Sequence, residues 1–247
     1  MLEKQLVVNN QLLNYLEEKT SDTAPAVVFL HGWQASSDTW RPIIYRLKEH
    51  YNLYALDLPG FGKSEMPKLP MTVADYAQIV KDFTTKLELK NVTLVGHSFG
   101  GRIAQKCSAE HFLTISRLVL VDSSGFRDGS MGKMIKVGLA RIAKPFVPER
   151  FRKKISKAFG ATDYAESGEL RQTFINVINE DQTEDMKKIE MPTLIVWGQN
   201  DKETPLEFGE RMHALIRDSK FEILPGAAHY SFLDKPEEFT RLLASFV

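Results

Sequence analysis

Short runs of apolar, often β-branched residues alternate with longer amphipathic stretches along most of the chain. Residues 26–30, 53–56, 92–95, 118–121, 193–197 and 221–224 are apolar runs of strand length bounded by Gly, Pro, Asp or Asn. Between them, residues 39–49, 73–87, 99–110, 206–216 and 237–246 carry apolar positions at helical spacing. Residues 6–9 and 12–16 read as an opening antiparallel pair that turns near Asn9-Asn10. Runs that are apolar on both faces and separated by helices predict a mostly parallel sheet covered on both sides, an α/β fold.

One stretch breaks the rhythm. Residues 125–190 contain no convincing strand, whereas 131–146, 149–159 and 169–179 have helical periodicity. The expectation is a single core domain, 1–124 and 191–247, with a helical cap inserted at 125–190. A segment of that length without strands inside an α/β domain usually carries function.

Chemistry concentrates at the ends of the apolar runs. Gly96-His97-Ser98-Phe99-Gly100 follows the run at 92–95 and opens a helical pattern. A serine on such a strand-to-helix turn is exposed on a strained backbone, and the flanking glycines let helix and strand approach. Ser98 is therefore the candidate nucleophile. Serine reacts only when a base removes its proton. Of the six histidines, His50, His111 and His213 lie in or beside charged helical segments. His97 is expected to pack behind the serine turn, and His31 to brace a glycine loop. His229 follows a run at 221–224 and the small-residue loop Pro225-Gly226-Ala227-Ala228, which suits a base on an irregular loop. The base needs a carboxylate to hold its tautomer. Asp201 follows the run at 193–197, and Asp122 follows the run at 118–121 as the rival acid. The order Ser98, Asp201, His229 is nucleophile, acid, base. Leu30-His31-Gly32-Trp33 supplies a tight turn after the third run, so the backbone N–H groups of Trp33 and Phe99 are the candidate oxyanion hole. The Trp33 and Phe99 side chains, with Met134 and Ile135 of the insertion, are candidate substrate-binding groups.

Taken together, His31-Gly32-Trp33, Asp57-Leu58-Pro59-Gly60-Phe61-Gly62-Lys63-Ser64, Gly96-His97-Ser98-Phe99-Gly100-Gly101, Trp197-Gly198-Gln199-Asn200-Asp201 and Gly226-Ala227-Ala228-His229 resemble the α/β-hydrolase superfamily, in order and over nearly the whole chain. The resemblance implies an esterase- or lipase-like serine hydrolase acting through an acyl-enzyme on small to medium, largely apolar esters. It leaves open a C–C bond hydrolase, a thioesterase, a lyase, or a non-catalytic small-ligand receptor of the same fold. Dehalogenases and epoxide hydrolases of similar appearance carry aspartate where Ser98 stands. Gly100-Gly101-Arg102 is similar to a carboxylate-binding feature of menaquinone-pathway lyases, which have tyrosine at the place of His97; a solvated or salt-bridged Arg102 is the other reading.

Charge changes the picture in one place. Lys plus Arg equals Asp plus Glu at 32 each, so nothing global attracts nucleic acid or a polyanion. Between Arg127 and Lys157, however, ten basic residues face only Asp128 and Glu149. The same segment has Met131, Met134, Ile135, Leu139, Ile142 and Phe146 at helical spacing. It reads as a face packed on the core, a face lining an acyl pocket, or a basic amphipathic surface for anionic lipid. No run approaches the length of a membrane span. The one cysteine, Cys107, is expected to be buried, and a chain without a signal-like start is expected to be cytoplasmic. Lys63-Ser64 lacks the phosphate-loop spacing, so 57–64 is expected to be a structural loop near the site. No metal or organic cofactor is expected, and the partner is a small-molecule ester.

Overall fold

The computed structural model describes residues 1–112, 114–127 and 168–247. Eight strands, β1 (Leu2–Val8), β2 (Gln11–Glu18), β3 (Ala26–Leu30), β4 (Asn52–Leu56), β5 (Val92–His97), β6 (Ile115–Val121), β7 (Thr193–Gly198) and β8 (Ser219–Leu224), form one sheet. Their order is β1-β2-β4-β3-β5-β6-β7-β8. Only β1–β2 and β2–β4 pair antiparallel; every other neighbour is parallel. The opening hairpin turns through Asn9 and Asn10, both at positive φ (50° and 60°), the conformation that suits the right-handed twist of a two-residue hairpin.

Helices α1 (Arg41–Leu47), α2 (Val73–Lys86) and α3 (Phe99–Ala109) precede the insertion. After it come α4 (Arg171–Asn179), α5 (Thr183–Met186), α6 (Leu206–Leu215), α7 (Ser231–Asp234) and α8 (Pro236–Phe246). Two have legible starts. Thr72 and Asp75 form a reciprocal capping box ahead of α2, and Pro42 stands in the first turn of α1, where its missing N–H costs nothing. The periodic stretch at 39–49 divides into a 3-10 turn at Ser37–Trp40 and α1.

Alternation along the strands sorts the core into two layers. Val28, Leu30, Leu94, Leu118, Leu120 and Ile195 meet Tyr76, Val80 and Phe83 of α2 and Ile103 and Cys107 of α3. Val27, Phe29, Val95, Val119, Val121 and Val196 meet Trp40, Ile43, Phe232, Phe239 and Leu243 on the other side. Cys107 is fully buried, and burial pushes its thiol pKa far up, so it is a packing residue without thiolate character.

The two ends of the insertion are stitched to α3. Gln182 donates from its backbone to Gly125 O (2.9 Å) and from its side chain to Arg102 O (2.8 Å). Arg102 itself is 1% exposed and donates to the Glu180 and Phe126 carbonyls and, at 3.4 Å, to Ser124 Oγ. It is therefore not solvated: burial lowers its pKa to about 10 against the pull of Glu180 and Asp181. The helical stretches expected at 131–146 and 149–159, with Met134, Ile135 and most of the basic run, lie outside the described residues. The stretch expected at 169–179 appears as a 3-10 turn at Gly168–Leu170 followed by α4.

Candidate active site

Ser98 stands between β5 and α3 with φ 50° and ψ −110°, a conformation costly for a residue with a Cβ. The surroundings over-determine it. Its N–H donates to Val121 O (3.1 Å), and its carbonyl accepts from the N–H groups of Arg102 and Ser124 (3.2 Å each). A Cβ on Gly96 would collide with the Gly100 backbone, and one on Gly100 with the Leu30 and His31 carbonyls. The two glycines thus bring helix, elbow and the end of β3 within backbone contact.

The loop after β3 faces the elbow: a Cβ on Gly32 would lie 3.4 Å from Ser98 Cβ. His31 is fully buried; its Nε2 accepts from Leu58 N–H (3.0 Å), which leaves Nδ1–H to donate to Gly32 O at 2.7 Å. Because the peptide is planar, holding the Gly32 carbonyl fixes the direction of the Trp33 N–H on the opposite side. Burial lowers the His31 pKa and keeps the ring in this neutral form. The 57–64 loop is structural, as its sequence suggested. Asp57 accepts from Ser37 N–H (2.6 Å), Asn14 Nδ2 (2.9 Å) and Lys63 N–H (2.9 Å).

Asp201 and His229 meet at the same edge of the sheet. His229 Nδ1 is 2.9 Å from Asp201 Oδ2, and both residues are 7% exposed. Asp201 is itself oriented: Oδ1 accepts from the N–H groups of Glu203 (2.8 Å) and Thr204 (3.1 Å), and Oδ2 from Thr204 Oγ1 (2.7 Å). Burial depresses the His229 imidazolium, but the hydrogen bond and charge of Asp201, with Glu203 and Asp122, outweigh it and raise the pKa above the ordinary histidine value. His97 packs behind the elbow as expected, its ring 4.8 Å from that of His229 and its Nε2 2.8 Å from the His229 carbonyl. His229 Nε2 lies 3.4 Å from Glu203 Oε2. Ser98 Oγ makes no hydrogen bond to that nitrogen among the described residues.

Asp122, the rival acid, does not reach His229. Its carboxylate accepts from Gly198 N–H (2.7 Å) and Ser231 N–H (3.0 Å). Of the aromatic wall beside the elbow, the sequence pointed to Trp33 and Phe99 but not to Phe61 and Phe174. Trp33 packs against Phe61 (4.9 Å), Phe99 (5.2 Å) and Phe174 of α4 (5.0 Å). Phe61 joins the site from the 57–64 loop and Phe174 from α4, segments distant in sequence from the elbow, which no local pattern could reveal.

The chain has known relatives. The model of the Alpha/beta hydrolase family matches residues 27–242. The chain belongs to the alpha/beta hydrolase family. Among relatives of this alpha/beta hydrolase, an uncharacterized hydrolase of Bacillus subtilis is 28% identical, with 94% of this chain and 93% of the relative aligned. The 2-hydroxy-6-oxo-6-(2'-aminophenyl)hexa-2,4-dienoic acid hydrolase of Metapseudomonas resinovorans is 27% identical over 90% of this chain and 83% of that protein. In structure, the alpha/beta hydrolase superposes on an esterase from Exiguobacterium antarcticum with TM-score 0.81 and 26% identity, covering 99% of both chains. Among the described residues no helix is long and apolar enough to cross a membrane, and no group of three or more His, Cys, Asp or Glu could hold a metal.

Proposed function

We propose that this alpha/beta hydrolase is a cytoplasmic serine hydrolase that cleaves small to medium, largely apolar carboxylic esters through an acyl-enzyme. The observation that carries the reading is the 2.9 Å contact between His229 Nδ1 and a buried Asp201 carboxylate, at the sheet edge where Ser98 sits on its strained turn. Ser98 Oγ attacks the carbonyl carbon as His229 Nε2 takes its proton. The oxyanion is received by the Trp33 and Phe99 N–H groups, and the proton then passes from Nε2 to the leaving alcohol. Water attacks the acyl group by the same route. Trp33, Phe61, Phe99 and Phe174 form the acyl side of the site, which supports an apolar acyl group. In this reading 1–124 and 191–247 are the core, and 125–190 is a cap that supplies the rest of the pocket, Met134 and Ile135 included.

The test is a panel of p-nitrophenyl esters together with labelling by a fluorophosphonate probe. The parent is expected to hydrolyse the panel and to label at Ser98. Ser98→Ala should abolish labelling and lower turnover by about a millionfold, the loss typical of a triad serine. Activity within about tenfold of the parent would remove Ser98 from the role. Similarity to the dienoic acid hydrolase of Metapseudomonas resinovorans supports C–C bond hydrolysis as a second reading. Labelling at Ser98 without ester turnover would select it.

A further inference from the structure

Asp122 is a fully buried carboxylate beside the candidate triad that the proposed chemistry does not use. It follows β6 at φ 46°, in the left-handed region that non-glycine residues rarely adopt. Its connections are unusual in reaching all three candidate catalytic loops. Oδ1 accepts from Gly198 N–H at 2.7 Å, at the end of β7 where the Asp201 loop departs. Oδ2 accepts from Ser231 N–H at 3.0 Å, two residues beyond His229. Its carbonyl lies 3.0 Å from Thr204 Oγ1, the hydroxyl that also donates to Asp201 Oδ2. Its own N–H donates to Val196 O (3.0 Å), and the preceding Val121 carbonyl accepts the Ser98 N–H.

We infer that Asp122 is a positioning residue whose two carboxylate oxygens clamp the acid loop to the base loop, setting the distance between Asp201 and His229. This rests on the proposed triad. The clamp needs an acceptor on both sides, because both partners are fixed backbone donors. Asparagine offers one acceptor and one donor, so in Asp122→Asn an NH2 group must face either Gly198 N–H or Ser231 N–H. A buried donor left against a donor pushes the two loops apart. The charge also matters to the base. His229 faces Asp201, Glu203 and His97 as well as Asp122, and the Asp122 charge adds to those that stabilise the imidazolium. Burial pushes the Asp122 pKa up to about 7, against the pull of the Ser231 and Gly198 donors. The clamp is accordingly assayed above pH 7.

The experiment compares parent, Asp122→Asn, Asp201→Asn and the double variant on one p-nitrophenyl ester, with kcat referred to Ser98 titrated by fluorophosphonate so that only folded sites count. Asp122→Asn is expected to lower kcat roughly ten- to hundredfold with KM little changed, the range for a misoriented rather than missing group. The acid limb of its kcat/KM profile should move to lower pH. In the Asp201→Asn background the same change should cost much less, since residues acting as a unit are not additive. If Asp122→Asn does not fold, Ser231→Pro removes the amide donor together with the side-chain hydroxyl while leaving the Asp122 carboxylate in place, at a first helical position that suits proline. It should show the same fall in kcat without the shift in the acid limb. Full kcat per titrated site, an unmoved acid limb, or fully multiplicative losses would reduce Asp122 to a structural residue and overturn the inference. A parent that hydrolyses no ester and leaves Ser98 unlabelled would instead overturn the proposed triad.

Discussion

Glu203 puts a carboxylate 3.4 Å from the ring nitrogen that a base must turn towards Ser98. That charge stabilises the imidazolium, in the same direction as Asp201, and therefore works against the neutral form that accepts a proton. Glu203→Gln is expected to lower the His229 pKa, moving the acid limb of kcat/KM to lower pH. Its side chain is 68% exposed, so the difference from the parent should shrink as salt rises. A limb that stays in place at low salt would mean that the contact is not kept in solution. The sequence could not have pointed to Glu203, because nothing distinguishes it from other exposed glutamates until the Asp201 loop is folded. The candidate triad was legible for the opposite reason. Ser98 follows β5 directly, Asp201 and His229 follow β7 and β8 after short loops, and the serine is marked by glycines that its geometry requires. Asp122 was legible as a carboxylate at a strand end, but not as a clamp. Its partners are two backbone N–H groups 76 and 109 residues away, and backbone donors leave no trace in residue identity.

The apolar centres of the strands buried on both faces were readable, because they are continuous and stop at turn-forming residues, although β6 starts at Ile115 rather than 118. The starts of the edge strands were not. β1 begins at Leu2 rather than 6 and β8 at Ser219 rather than 221, since most of the added residues are polar and exposed, and only pairing with a neighbour makes them strands. α4 shows the same limit from the other side. Its helical period was evident, but not that Phe174 meets Trp33 at 5.0 Å. In the proposed function that contact puts α4 on the acyl side of the site. Phe174→Ala should open the wall, and the preferred p-nitrophenyl ester should shift to a longer or bulkier acyl chain while fluorophosphonate still labels Ser98. An unchanged chain-length profile would show that α4 covers the core without touching the substrate.

Stability of the whole molecule should depend on pH through three buried groups that act in opposite directions. His31 and His97 are held neutral, their pKa values lowered first by burial, strongly so for His97. As pH falls through the ordinary histidine range the unfolded chain takes up protons that the folded protein refuses, so these residues make stability fall with acid. Asp122 has the reverse sign. With a folded pKa of about 7 against an ordinary 3.8, it stays protonated when folded over a window in which the unfolded chain has released its proton. It therefore lowers stability as pH rises through that window. The two tendencies partly cancel between about pH 4 and 6.5, where an ordinary histidine begins to lose its proton. Asp122→Asn removes one side of the cancellation. Apart from a constant loss from the broken clamp, urea unfolding of the variant should depend on pH more steeply than that of the parent. The extra slope is at most about 1.4 kcal/mol per pH unit, the value for one proton, with stability still rising towards neutrality. Parallel pH profiles for the two proteins would mean that Asp122 is already ionised across this range, held so by the amide donors of the acid and base loops.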